Sequence, residues 1–223
     1  MPVLNFPLQL SDFWAKLRIA SFEAMRLGGG LQTQNTGGGE VITARTGQRL
    51  WEGDVTLTAG ADHSEVEALL KILQDPGRSF MIEAHDRPFP LRDPNGALLG
   101  ASTPVIASLP AGGRSMTLSG LPAGYVLSPG DYISFTRGSP ARHELVEVVT
   151  GAVADGGGVT PEFEVTPGVR PGATTSTAVR LARPQFRAMI VPGSVKLSTI
   201  GPARGPRPGP SFSFRQTLTR AAT

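Results

Sequence analysis

Residues able to do chemistry are few and scattered in this chain. The three histidines, His63, His85 and His143, stand alone, and none lies at ligand spacing from a second. Only His85, beside Asp86 and near Glu83, has neighbours of the kind that metal ligation or proton transfer would use, although a loop histidine next to carboxylates reads more simply as solvated. Glu52 with Asp54, and Glu144 with Glu147, are pairs of the type that hydrolyses glycosides when a fold sets their separation; a polar strand face is the simpler reading. Gly-x-Ser-x-Gly and Ser-x-x-Lys nucleophile motifs are absent. The glycine triplets at 28–30 and 37–39 lack the Gly-Lys-Ser/Thr ending of a phosphate loop. The chain has no cysteine, which excludes thiolate catalysis, thiolate metal sites and disulfides. The expectation is therefore no catalytic residue, no metal and no cofactor, in a protein that acts by packing into an assembly.

The elements that must position these residues are strands. Of 223 residues, 28 are glycine and 20 proline, a composition suited to short strands joined by turns and hostile to a helical bundle. No apolar run approaches the roughly 20 residues of a membrane-spanning helix, so membrane insertion is not expected. The first ten residues carry no basic stretch followed by an apolar core, and no signal peptide is read there.

Along the chain, Leu4, Phe6, Leu8 and Leu10 alternate as in a strand, and residues 11–26 have room for another strand or a short helix. Residues 28–39 read as a flexible polar loop. Residues 41–57 read as a hairpin turning at Gly47, its second strand alternating through Trp51, Gly53, Val55 and Leu57. One helix is predicted at 63–75. Asp62 or Ser64 is the expected cap, Ser64 and Glu67 stand at capping-box spacing, Val66, Leu69, Leu70 and Leu73 form the apolar stripe, and Pro76-Gly77 is the stop. A strand at 79–84 follows. Short strands are then predicted at 105–109, 115–118, 132–136, 143–149, 163–166 and 177–181, with terminal strands at 186–200 and 211–219. Trp14 and Trp51 are candidate interface anchors, with a core position the simpler reading for Trp51. The fold class expected is mainly β: a β-sandwich-like core of residues 1–97 and 185–223 with one short helix, and an inserted small sandwich or barrel at 98–184.

Net charge is +3, but it is unevenly spread: no acidic residue follows Glu164, whereas nine basic residues do. Such a segment suits an acidic partner or simply solvent, and Arg204, Arg207, Arg215 and Arg220 are its candidate partner-contact residues. No basic run is interleaved with aromatics, so specific nucleic-acid binding is not expected.

The order of segments resembles a known family. Trp51-Glu52-Gly53-Asp54-Val55-Thr56-Leu57, a helix of about a dozen residues and then Phe80 in a short strand are similar to the start of the distal tail proteins of siphophages and gene-transfer particles. Leu127-Ser128-Pro129-Gly130-Asp131-Tyr132-Ile133, Val153-Ala154-Asp155-Gly156-Gly157 and Thr166-Pro167-Gly168-Val169-Arg170 resemble later strand entries and turns of that family. The likeness covers residues 40–190; Val169 stands in place of the usual leucine, and the loop at 201–210 has no counterpart. The resemblance implies a hexameric ring that joins the tail tube protein to hub and tip proteins at the distal end of a virion tail, assembled in the host cytoplasm. It carries no catalytic residues. Two other readings stay open: a baseplate carbohydrate- or receptor-binding module, and another tail component such as a tube or terminator subunit.

Overall fold

The computed structural model describes residues 4–59, 63–197 and 209–218. Its first elements are a 3-10 turn, Trp14–Lys16, and strands β1 (Ile19–Phe22) and β2 (Arg26–Gly28). Strands β3 (Leu31–Asn35), β4 (Val41–Arg45) and β5 (Leu50–Leu57), helix α1 (Ser64–Leu73) and strand β6 (Phe80–Glu83) follow. The next run is β7 (Val105–Ser108), β8 (Ser115–Ser119), β9 (Val126–Leu127), β10 (Tyr132–Arg137), β11 (Arg142–Val148), β12 (Ala152–Val153), β13 (Phe163–Thr166) and β14 (Val179–Arg180). Strands β15 (Gln185–Ile190) and β16 (Ser211–Gln216) are the last elements among the described residues. The protein is mainly β, with one α-helix and several sheets among the described residues.

One antiparallel sheet runs β1-β5-β16-β15-β6, with β2 also paired to β5. Polar and apolar residues alternate along β5, so Trp51, Gly53, Val55 and Leu57 all face the core while Glu52 and Asp54 face outward. Beside them, β16 adds Phe212 and Phe214. Gly53 lies opposite Phe214, and a Cβ there would come within 2.6 Å of the Phe214 ring, so the glycine makes room for the aromatic. The stripe Val66, Leu69, Leu70 and Leu73 buries α1 in the same core. The helix starts differently from expectation: His63 is the N-cap residue and makes no side-chain cap, its Nε2 instead lying 2.8 Å from the Thr58 carbonyl. Ser64 is the first helical residue, and Asp62 lies outside the described residues.

The second sheet runs β14-β10-β11-β13-β8-β7 and nearly closes on itself. Ile106 N–H donates to Thr177 O at 2.9 Å, and Ser176 and Val179 N–H donate to Ile106 O and Pro104 O. The last strand thus meets the first in a six-stranded barrel filled by Ile106, Met116, Leu118, Ile133, Val146 and Phe163. The short pair β9–β12 lies beside it and was not anticipated.

Four sequence expectations need correcting. Leu4 to Leu10 do not form a strand; within that stretch only Leu8 pairs, in a single bridge to Phe80. Residues 41–57 are not a hairpin. Strand β4 pairs with β3, Leu31↔Arg45 through Asn35↔Val41, and the turn is at the glycines 37–39. The supposed loop at 28–39 therefore contains a strand, because Gln, Thr and Asn accept extended pairing when a glycine turn folds them back. Lastly, β15 ends at Ile190, where a turn begins.

Candidate interaction surfaces

Three features could present this chain to others: a seam between its two cores, a charged open face, and a projecting arm. The seam arises because β10 and β11 are covered on both faces. Ile133 and Val146 point into the barrel, while Tyr132 and Leu145 join the core of the first sheet. Trp51 crosses the seam. Its ring is 1% exposed, packs edge-on to Tyr132 at 5.4 Å, and donates from Nε1 to Leu145 O at 2.8 Å. Gln185 N–H donates to Ser134 Oγ, and Tyr132 Oη to Asp86 Oδ2, so the junction is fixed by polar links as well as by packing. Burial, reinforced by Asp86, pushes the Tyr132 phenol well up. Trp51 is thus a core residue that locks the two sheets, and Trp14 is also buried.

At one end of the barrel, Glu144 is fully buried between two guanidinium groups. Arg137 Nε donates to one carboxylate oxygen at 2.5 Å and Arg170 Nη1 to the other. Arg170 reaches on to Gln48 Oε1 and to Arg49 O at 2.7 Å, linking the barrel to the loop that enters β5. A buried carboxylate held by one N–H from each of two guanidinium groups is costly to bury and more costly to disrupt. Glu147 faces the other side of β11; its burial raises its pKa, against the nearby Arg87. Glu144 and Glu147 therefore do not form a pair.

On the open face of the first sheet, Arg215 donates from Nε to Glu52 at 2.6 Å, and Arg26 pairs with Asp54 at 2.8 Å. Burial works against ionisation of Asp54, but the Ser213 hydroxyl and the Arg26 guanidinium outweigh it and hold its carboxyl below the usual range. Of the candidate contact residues, only Arg215 is described, and it is half-exposed and already ion-paired; Arg204, Arg207 and Arg220 lie outside the described residues. The basic final quarter draws carboxylates from earlier in the chain: Arg170 meets Glu144, Arg183 meets Glu83 and Arg215 meets Glu52. Segregation of charge along the sequence is undone by the fold.

The arm is the hairpin β3–β4, whose strands pair only with each other among the described residues. It continues the β2–β5 ladder past a break at Gly29 and Gly30, both in the left-handed region. Five residues per strand project it by roughly 17 Å. Val41 and Ile42 on it are 62% and 56% exposed. The alternation seen in 41–57 pointed at β5 and obscured this arm.

No cluster of three or more metal-ligating side chains occurs among the described residues, and no described helix is long and apolar enough to cross a membrane. His85 packs against Phe22 at a tilt, with ring centres 5.4 Å apart, while His143 lies in the seam, its pKa lowered by burial and by Arg187. No protein-family model matches this chain, and no curated protein is detectably similar to it.

Proposed function

We propose that this chain is a structural, non-enzymatic tail protein: a subunit of the distal ring that joins a tail tube to its hub and tip. The reading combines the likeness of residues 40–190 to that family with one structural observation, the exposed arm. A lone two-stranded hairpin is marginal in water, and Val41 and Ile42 expose one apolar side chain on each of its faces, which neighbouring subunits would cover. One heterologous contact repeated around an axis closes a ring. The sugar-binding alternative has less support, because Trp14, Trp51, Tyr125 and Tyr132 are all buried and offer no exposed aromatic platform.

Light scattering with negative-stain imaging tests the reading. Rings of about six subunits are expected, and Val41→Asp with Ile42→Asp should abolish them while leaving the subunit's thermal unfolding unchanged. A chain that stays monomeric both alone and when mixed with a tail tube protein would overturn it. Arg204→Glu with Arg207→Glu should impair tail assembly without affecting subunit folding, if the basic segment docks an acidic neighbour; normal particles would remove that part of the reading.

A further inference from the structure

Where the barrel meets the base of the arm, an open polar cleft of about 510 Å³ lies between the loop carrying Gln48 and Arg49 and the barrel segment ending at Arg170 and Pro171. Three arginines line it: Arg49, Arg114 and Arg170. Arg170 is spent on Glu144, Gln48 and Arg49 O. The other two are not spent in this way. Neither Arg49 nor Arg114 has a carboxylate within ion-pair distance among the described residues. Arg49 Nε is moreover buried without a hydrogen-bond partner, the only such side-chain atom among the described residues. Leaving a guanidinium N–H dry and unpaired is unfavourable, and an arriving acceptor beside it relieves that cost. Arg170 itself shows the chemistry of this wall: a guanidinium that gives one N–H to a carboxylate and its others to neutral oxygens.

We propose that this cleft is a binding site for a carboxylate presented by an acidic polypeptide segment. Its volume is that of a ligand several atoms long rather than of a bare ion. Glu164 also lines it, so an entering carboxylate seats on the Arg49 side, away from that charge. The fork of Arg49 grips the carboxylate, and Arg114, exposed on the opposite loop, supplies a second charge and draws the segment in. This site stands apart from the ring reading, since its ligand can be measured on the isolated chain whether or not rings form.

The test is titration of the full chain with a capped tetraglutamate peptide and, separately, with inorganic phosphate. Calorimetry at low and high salt and the arginine Nε–Hε resonances provide the readouts. Tetraglutamate should bind in a salt-sensitive way and shift the Arg49 resonance. Arg49→Met and Arg114→Met should each weaken it about tenfold, with Arg92→Met, an exposed arginine elsewhere, leaving it unchanged. Arg49→Lys, which keeps the charge and loses the fork, should fall between Arg49→Met and the parent chain. Equal losses in all three Met variants, or no binding at all, would overturn the proposal. Phosphate binding as tightly as the peptide would overturn the assignment to an acidic segment. Arg114 is exposed, so Arg114→Met carries the test if Arg49→Met fails to fold.

Discussion

The two cores of this protein are held by different physics. The first sheet is filled with rings: Phe13, Phe80, Phe212, Phe214, Phe186 and Trp14 meet one another at centroid distances between 4.9 and 6.5 Å. Its ion pairs lie on the open face, where Arg26–Asp54 and Arg215–Glu52 are partly wet. The barrel has few rings and is filled mainly by aliphatic side chains, but it closes one end with the buried Arg137–Glu144–Arg170 network. Burial of rings is strong and tolerant of small displacements. A buried ion network is sensitive to the loss of any member. The barrel should therefore be the more brittle unit toward single polar changes, and the sheet the more brittle toward loss of volume.

The largest expected effect tests that contrast directly. Glu144→Gln removes the charge and leaves two buried guanidinium groups facing each other, at a cost of about 3–5 kcal/mol in urea unfolding. Phe186→Leu, within the ring cluster, should cost less, about 1.5 kcal/mol. A reversed order would break the comparison, placing the barrel's stability in its aliphatic filling. Next in size, Trp51→Phe keeps a ring in the seam and orphans Leu145 O, for about 1–2 kcal/mol. Its sharper signature is calorimetric: one unfolding transition should broaden or split, because the seam couples the two cores. A transition that shifts without broadening would mean that Tyr132 and Leu145 packing alone couples them.

How much of this was legible in the sequence follows from which signals are local. The helix stripe Val66, Leu69, Leu70 and Leu73, the alternation of β5 and the strands of the barrel were readable because periodicity and turn residues announce them. Pairing was not. Residues 41–45 and 50–57 look like one hairpin until the glycines at 37–39 are seen to fold 31–35 back onto 41–45. Arg170 with Glu144, and Arg49 with its unpaired Nε, left no signal, because 26 residues separate the first pair and the cleft exists only after closure of the barrel. The carboxylates read as polar strand faces gave no hint of their partners: Glu52, Asp54 and Glu144 each meet an arginine distant in sequence.

The smallest expected effect compares the two regions by acid. Asp54 on the sheet has a carboxyl held below the ordinary value of 3.8, with the Ser213 hydroxyl and Arg26 outweighing the opposing effect of burial. Its contribution is therefore fully present above the unfolded value and lost as pH falls through the lower folded one. Asp131, in the turn before β10, is pushed the other way: burial raises it, against hydrogen bonds from Ser128 and Leu91 N–H and the field of Arg87. Glu147 on β11 is raised chiefly by burial. A folded state that binds these protons before the unfolded state does gains stability as pH falls from neutrality toward the unfolded values near 4. The two regions should respond with opposite signs. Carboxyl-carbon NMR titration should give Asp54 the lowest midpoint of the three. Amide exchange in β10 and β11 should slow relative to β5 and β16 as pH falls from neutrality toward about 4, after correction for intrinsic rates, and Asp131→Asn with Glu147→Gln should remove that difference. If the double variant leaves the difference in place, these two carboxylates do not set the acid response.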